Sequence, residues 1–383
     1  MRVSPIGSAV SSGLNPPMWG RRSWDEPLKV ACDTPAIGCV QVDLDPVVRR
    51  RTQDILPLAS SIARMVRGPI TIRRVRGFLE TEYDLAFRHD HWNIGIADVP
   101  IHAFLDPTVA PMVHWMPPPG PGKFYADPFG VTRAGETEIL FEEYDFRSDK
   151  GVISSVHENA DGRFSQPRPA IEFPFHTAYP YLIERHDSLF CIPETAKGKE
   201  VAIFRADEFP LRWTKAAVLV PGVAGLDSTV FEHDGRFWLF CTDQNDGPIS
   251  KLRVWYAPDL FGPWTAHPLN PVKTDAASAR PAGTPFRFRG ELYRPSQDCT
   301  NGYGGGVTIN RVVRLTPTDF CEEAVAKVGP FGHGPSGSGI HTLSALGNRT
   351  LVDGKWSAFN PSEMARRMRE AVDDRWPLLL RGR

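Results

Sequence analysis

One phrase of sequence recurs from about residue 123 to near the end of the chain. Each copy has a short strand with a polar residue near its start, a turn rich in glycine or charge, a second apolar strand and, in most copies, a third strand. The copies begin at FYADPFGV (124–131), HTAYPYLIE (176–184), LDSTVFEHDG (226–235), ARPAGTPF (279–286) and, more weakly, GIHTLSAL (339–346). A repeat of about 50 residues with three or four strands is typical of propeller blades. We therefore predict an all-β fold, a five-bladed β-propeller.

The fifth copy is too short to supply a whole blade, so we expect a segment that precedes the repeats to complete the ring. The candidates are HWNIGIADV (91–99) and MVHWMP (112–117). The propeller is then expected to span 91–358, after an N-terminal extension over 1–90 and before a helical tail over 359–383. Within these flanks, 45–67 and 363–372 have helical composition, and we interpret both as segments that pack on the propeller.

Bulk composition excludes several classes of function. The 44 basic and 45 acidic residues give a net charge of −1, which does not favour nucleic-acid binding. The chain lacks the run of about 18 apolar residues that a membrane helix needs, and its first ten residues lack the apolar centre of a secretion signal. The six cysteines form no C-x-x-C pair, as expected for reduced thiols. We expect a cytoplasmic protein with no cofactor. No residue is assigned as a metal ligand, and the presence of a cation among the axial acids stays open.

The first strand of each propeller blade lines a narrow axial channel, where ligands often bind. The repeats put a polar residue at the same place on each of these strands: Asp127, then His176 or Tyr179, then Asp227, Arg280 and His341. Burying one such group without a partner costs several kcal/mol. The five must therefore pair with one another or bind something, and we predict a ligand site at the axis.

A second set of polar residues lies at the ends of the second strands. Glu194 and Arg294 are the best candidates to reach inward, and the other members are Glu142, Glu143, Asp243 and Asp298. Aromatic residues are also dense in the repeats. Most are expected in blade cores, but a few at the channel mouth could stack on sugar rings. The aromatic residues are Phe124, Tyr125, Tyr179, Tyr181, Trp238, Trp255, Trp264, Tyr293 and Tyr303.

Several phrases resemble a family of five-bladed propellers related to glycoside hydrolase families 43 and 32. They are YADPF, LDST, ARPAG, LYRPSQD and GPW-x-x-HP-x-NPV (262–272). They resemble most the propeller domain that precedes the transferase module of plant glucosamine inositolphosphorylceramide transferases. The resemblance covers about 110–355, and it implies a carbohydrate or glycoconjugate ligand and a partner glycosyltransferase.

In the related hydrolases three carboxylates act on the sugar. The resemblance assigns Asp127 as base or nucleophile and Asp227 as the group that tunes pKa and holds the sugar. The general acid usually comes from the fourth blade, where this chain has Arg280. Glu194 of the second blade is the best substitute, ahead of Glu142 or Glu143. Arg280 and His341 in the same channel are expected to lower carboxyl pKa values. They also favour a ligand with an anionic group such as a phosphate or uronate.

Three classes of function stay open from the sequence. The first is a carbohydrate-active enzyme of glycosidase type with Asp127, Asp227 and Glu194 as catalytic residues. The second is a non-hydrolytic glycan-binding or accessory propeller that works with a glycosyltransferase in polysaccharide or glycolipid synthesis. The third and weakest is a protein-interaction propeller, which does not need paired axial acids. The predicted substrate-binding residues are His176, Tyr179, Arg280, Arg294, Asp298 and His341.

Overall fold

The structure is a computed structural model that describes residues 88–332 and 337–359. Their strands form five antiparallel sheets of four or five strands, arranged as the blades of a propeller. The predicted fold is confirmed. The predicted helices at 45–67 and 363–372 lie outside the described residues. None of the helices in 88–332 or 337–359 combines the length and apolar character needed to cross a bilayer.

The strands are numbered in chain order. The first two are β1 (Arg88–Ala97) and β2 (Val113–Trp115), with a short 3-10 helix, Ile101–Leu105, between them. The first blade contains β3 (Lys123–Arg133), β4 (Glu136–Asp145), β5 (Lys150–Glu158) and β6 (Arg168–Ile171). The second contains β7 (Ala178–Arg185), β8 (Ser188–Glu194), a 3-10 turn (Ala196–Gly198), β9 (Glu200–Glu208) and β10 (Arg212–Pro221).

The third blade contains β11 (Gly225–His233), β12 (Arg236–Asp243), β13 (Lys251–Ala257), β14 (Thr265–Ala266) and β15 (Lys273–Thr274). The fourth contains β16 (Phe286–Phe288), β17 (Glu291–Asp298), β18 (Gly306–Thr316) and β19 (Asp319–Val328). The fifth begins with β20 (Leu343–Leu346) and β21 (Arg349–Phe359).

The fifth blade is completed by the strands that precede the first. β1 pairs with β21 along the whole length of β1, up to Ala97 opposite Thr350, and β1 pairs in turn with β2. Both candidate segments therefore close the ring. The fifth blade thus has four strands in the order β2-β1-β21-β20, built from both ends of the propeller sequence.

An apolar cluster fills each interface between neighbouring blades. Ile94 of β1 packs in one cluster with Phe141 of β4, and Ile203 of β9 packs in another with Leu239 of β12. Alternation along each strand directs these side chains to the faces on which blades pack. Burying a large apolar side chain stabilises the fold by about 1.5–3 kcal/mol, so the ring is held mainly by contacts between blades.

Candidate active site

Three first strands share one irregularity at the predicted axial position. The pairing of β3, β7 and β11 with the next strand shifts register at this point. The backbone there is left-handed, with φ of 51° at Asp127, 45° at Tyr179 and 51° at Asp227. A bulge redirects a side chain, and a non-glycine residue in this conformation costs of order 1–3 kcal/mol. The positions matched by the sequence repeat are therefore equivalent in structure.

Asp127 lies where the first blade meets the fifth, and only 3% of the residue is exposed. Thr342 Oγ1 donates a hydrogen bond to Asp127 Oδ1 at 2.8 Å, and His341 Nε2 lies 3.6 Å from the same oxygen. The backbone N–H of Asp127 donates to Asp353 Oδ2 at 3.3 Å. Residues of the fifth blade therefore hold both the backbone and the carboxylate of Asp127.

His341 lies between two carboxylates. Its Nδ1 is 2.5 Å from Asp353 Oδ2, and its ring stacks on Trp92 with centroids 4.0 Å apart. Asp353 Oδ1 also accepts hydrogen bonds from the backbone N–H groups of His341 and Thr342, at 2.9 and 3.1 Å. Burial alone lowers the pKa of His341, but Asp353 and Asp127 outweigh it and raise the pKa above its ordinary value. The ring is therefore a buried cation at mildly acidic pH.

Asp227 is the most extensively bonded of the axial carboxylates. Arg280 Nε donates to its Oδ2 at 2.5 Å and Arg280 Nη2 to its Oδ1 at 3.1 Å. Gln297 Nε2 donates to Oδ2 at 2.7 Å. A bidentate pair of this kind fixes orientation as well as charge. The third blade's carboxylate is thus held by two residues of the fourth blade.

Glu194 ends β8 beside this pair. The backbone N–H of Asp227 donates to Glu194 Oε2 at 3.4 Å, and Arg280 Nη2 lies 3.9 Å from the same oxygen. Burial raises the pKa of Glu194 to about 8; Asp227 adds to the shift and Arg280 opposes it. The expectation that the channel cations lower this pKa is wrong, because burial dominates and Arg280 makes its short contacts with Asp227.

Asp127 behaves in the same way. Burial raises its pKa to about 6, His341 lowers it, and the nearby Asp227 and Asp353 raise it. The expected lowering is therefore wrong here too. Between about pH 6 and pH 8, Asp127 is mostly ionised while Glu194 is mostly protonated. Two carboxyl groups whose environments separate their pKa values can divide the roles of base and acid.

Glu142 is a further buried carboxyl in this group. It lies opposite Ala126 in β3, just as Glu194 lies opposite Ala178 in β7. The two glutamates thus occupy equivalent positions in neighbouring blades. Burial raises the pKa of Glu142 well above its ordinary value, and the charges of Asp127 and Glu194 raise it further. Burial and the neighbouring carboxylates therefore favour the protonated form of Glu142.

His176 contacts Glu142 from the second blade. Its Nε2 lies 3.7 Å from Glu142 Oε1, and its Nδ1 accepts a hydrogen bond from the backbone N–H of Gly151 at 3.0 Å. The bond from Gly151 requires a lone pair on Nδ1, so in the neutral ring the proton is on Nε2, toward Glu142. Of the two alternatives for the second blade, His176 is the one that contacts an axial carboxyl.

Tyr179 is fully buried, and its hydroxyl is bonded within the protein. It accepts a hydrogen bond from the backbone N–H of Gly283 at 2.7 Å and shares one with Thr229 Oγ1 at 3.0 Å. Gly283 has φ of 115°, and a Cβ there would lie 1.9 Å from the carbonyl oxygen of Leu343. Tyr179 therefore links the second blade to the third and fourth at a point that only glycine allows.

Two other predicted substrate-binding residues form ion pairs within the fourth blade. Arg294 Nε and Nη2 donate to Glu322 at 2.9 and 2.5 Å, and Nη2 also donates to the carbonyl of Ser278 at 2.6 Å. Asp298 accepts a hydrogen bond from Lys327 Nζ at 2.8 Å. The structure does not bring these two into the axial group, because each is committed to an ion pair between β17 and β19.

Three of the described residues offer ligand atoms that could hold a cation. Asp127, His341 and Asp353 present such atoms within 4.8 Å of one another. Carboxylate oxygens and an imidazole nitrogen are suitable ligands for a divalent ion. His341 Nδ1 is, however, already in contact with Asp353, so the three groups satisfy one another in part.

A family model described as glucosamine inositolphosphorylceramide transferase 1, N-terminal, matches residues 109–333. The match takes in more than half of the chain. The chain belongs to this family. The resemblance found in the motifs is confirmed, and the matched span includes Asp127, Glu194 and Asp227 but ends before His341 and Asp353.

Members of the glucosamine inositolphosphorylceramide transferase 1 family from plants are similar in sequence. The chain is 35% identical over 214 residues to the transferase of Oryza sativa subsp. japonica, which covers 54% of this chain and 28% of that protein. It is 28% identical over 211 residues to the transferase of Arabidopsis thaliana, with the same coverage. The chain therefore spans just over a quarter of the length of these relatives.

Solved structures of glycoside hydrolases have a distantly similar fold. One is Zg3597, a family 117 glycoside hydrolase of Zobellia galactanivorans, with a TM-score of 0.43, 14% identity and coverage of 61% of this chain and 84% of that one. Another is the exo-β-1,3-galactanase 1,3Gal43A of Clostridium thermocellum, with a TM-score of 0.41, 11% identity and coverage of 52% and 48%.

Sequence reasoning on this member of the transferase 1 N-terminal family missed Asp353 and Gln297. Asp353 is completely buried in β21, and the available signal was an acidic residue inside the apolar strand of the weak fifth repeat. Gln297 lies within the phrase LYRPSQD, between two residues that the sequence did single out. Its role depends on reaching across to Asp227 in another blade, and a sequence pattern does not encode that contact.

Proposed function

We propose that the propeller is a carbohydrate-active enzyme of glycosidase type that acts on a glycan or glycoconjugate in its axial pocket. The observation that carries this proposal is the pair Asp127 and Glu194. Both are buried in one cluster, with pKa values of about 6 and about 8. A glycosidase needs one carboxyl group ionised and another protonated at its working pH.

The proposed roles follow from the contacts of each group. Glu194 donates its proton to the leaving oxygen as general acid. Asp127 acts as base or nucleophile, positioned by Thr342 at 2.8 Å. Arg280 and Gln297 hold Asp227 in place, and its charge helps raise the pKa of Glu194. The names of the relatives, which contain both a sugar and a sphingolipid, support a ligand of the glycan class.

A second candidate is a non-hydrolytic glycan-binding or accessory propeller. The observation that favours it is the family match itself, because the matching model is the N-terminal part of a transferase. The chain also spans only 28% of the length of the relatives. In this case the same pocket would bind a glycan without cleaving it and would work with a glycosyltransferase in polysaccharide or glycolipid synthesis.

The two candidates are separated by testing Asp127→Asn on a panel of p-nitrophenyl glycosides and sugar-nucleotide acceptors. For the enzyme, wild type turns over at least one substrate, and the variant loses about 10²–10⁴-fold in kcat. The matched control is Asp319→Asn, which removes an exposed aspartate paired with Arg314 and is expected to keep full turnover.

The enzyme proposal is abandoned if wild type binds an oligosaccharide but turns over none of the substrates. That combination is the result expected for the accessory propeller.

A further inference from the structure

Tyr303 is an exposed aromatic residue beside the buried charges of the axis. It retains 42% of its surface exposed. The guanidinium carbon of Arg280 lies 5.2 Å from the centre of its ring, and the ring of His341 meets it edge-on at 5.2 Å. Tyr303 thus contacts the partners of both Asp227 and Asp127 while part of its surface faces solvent.

The loop that carries Tyr303 is fixed by its neighbours. Gly304 has φ of 66°, and a Cβ there would lie 2.3 Å from Trp92 Cη2, so glycine is required for the loop to lie on the Trp92 ring. Lys355 Nζ donates to the carbonyl oxygen of Tyr303 at 2.7 Å. The backbone N–H of Ile340 donates to the carbonyl oxygen of Gly304 at 3.1 Å. A ring held in advance loses little conformational freedom when a ligand binds.

The Tyr303 hydroxyl makes no hydrogen bond to another protein group among residues 88–332 and 337–359, although part of the Tyr303 side chain is exposed. Burial raises its pKa, Arg280 lowers it, and the carboxylates of Asp127 and Asp227 raise it further. The hydroxyl therefore stays protonated over the working pH range and can donate to a sugar oxygen or accept from a sugar hydroxyl.

The two cations predicted for the channel are both paired. Arg280 bonds to Asp227 through two nitrogens and lies 3.9 Å from Glu194. His341 lies between Asp353 and Asp127. A phosphate or uronate entering here would have to compete with these carboxylates for each cation and would meet their like charge. Arg280 and His341 are therefore each engaged by carboxylates of the protein, which disfavours an anionic ligand.

We propose that Tyr303 is the platform on which an uncharged sugar ring stacks above the axial carboxyls, and that the pocket discriminates against sugars with an anionic substituent. This inference rests on the proposed glycan-directed function and specifies its substrate class. An aromatic face suits the apolar face of a pyranose, and its hydroxyl suits the polar rim.

The test is binding of matched p-nitrophenyl β-D-glucoside, β-D-galactoside, β-D-xyloside and β-D-glucuronide to the Asp127→Asn protein, measured by calorimetry or ligand-observed NMR. The Asp127→Asn background prevents turnover. We expect at least one neutral glycoside to bind and the glucuronide to bind about tenfold or more weakly. Adding Tyr303→Ala should weaken binding of the neutral glycoside about tenfold. Tyr303→Phe, which keeps the ring, should lose less affinity.

Phe261→Ala is the control for loss of an exposed ring. Phe261 is 44% exposed and packs on Phe190, and its removal should leave binding unchanged. Equal binding of the neutral glycoside with and without Tyr303→Ala, or glucuronide binding as tight as the neutral sugar, overturns the inference and leaves the proposed function standing. Absence of binding for all four probes, to wild type as well, overturns both.

Discussion

Arg280 holds the carboxylate of Asp227 through two hydrogen bonds, at 2.5 and 3.1 Å, across the boundary between the third and fourth blades. The Arg280 side chain is 11% exposed and that of Asp227 is 2% exposed. The pair is thus screened from water on both sides. Breaking such a pair from one side leaves a buried charge without compensation.

Arg280→Met is therefore expected to lower the free energy of unfolding by about 3–5 kcal/mol, measured by urea denaturation. Adding Asp227→Asn should recover part of this loss, because the uncompensated charge is removed. Arg311→Met, which breaks an exposed pair with Glu323, serves as control and should change stability by about 0.5 kcal/mol or less. A change of less than about 1 kcal/mol in Arg280→Met would contradict the importance of the pair.

The pH dependence of turnover should be bell-shaped. Activity requires Asp127 ionised, above its pKa of about 6, and Glu194 protonated, below its pKa of about 8. We expect kcat/KM to rise through the first value and to fall through the second. Glu194→Gln should lose most activity, and its remaining activity should lack the fall at high pH. A falling limb that persists unchanged in Glu194→Gln would assign the acid to another group.

Glu194 should also make stability depend on pH. Its folded-state pKa of about 8 lies above the ordinary value of 4.5, so the folded protein keeps a proton that the unfolded chain releases between these two values. The resulting stabilisation is complete below about pH 4.5 and is lost as the pH rises toward 8. Glu194→Gln removes this dependence.

We compare the free energy of unfolding of Glu194→Gln with that of wild type at pH 5 and at pH 8, by denaturant unfolding. The difference should shift in favour of the variant by about 2–4 kcal/mol from pH 5 to pH 8. Glu184→Gln, at an exposed glutamate paired with Arg133, should show the same difference from wild type at both pH values. Parallel pH profiles for wild type and Glu194→Gln would show that Glu194 is ionised in the folded protein at neutral pH.

Arg294 should contribute to stability through Glu322. Both side chains are 1% exposed. Although burial alone raises the pKa of Glu322, Arg294 and Lys273 hold it below its ordinary value. Arg294→Met should lower the free energy of unfolding by about 3–5 kcal/mol. The double variant Arg294→Met/Glu322→Leu should be more stable than Arg294→Met, and strict additivity of the two single changes would contradict the coupling.

The fold could be predicted because the repeat marks structurally equivalent positions. Asp127, Tyr179 and Asp227, matched by spacing alone, share a bulge and a left-handed backbone. The closing strands could be predicted because the fifth copy lacked strands. These features are local, or follow from counting strands, so the order of residues is enough to reveal them.

The site could be predicted only in part, because its contacts cross between blades. Arg294 and Asp298 lie in a phrase rich in polar residues, but whether they face the axis or their own blade depends on partners in β19. The direction of the pKa shift in Glu194 was mispredicted for a related reason. Neighbouring charges can be guessed from a repeat, whereas the depth of burial that outweighs them requires the assembled ring.

The pairing of β1 with β21 has a consequence for synthesis. The hydroxyl of Thr350 in β21 donates a hydrogen bond to the carbonyl of Val99, just after β1. The two residues are 251 positions apart in the sequence. A nascent chain therefore carries β1 without its partner while four blades emerge from the ribosome, and an apolar strand left unpaired for that time is open to wrong associations. Chaperones that bind such strands, and truncations that remove the last repeat, should act on the same vulnerable intermediate.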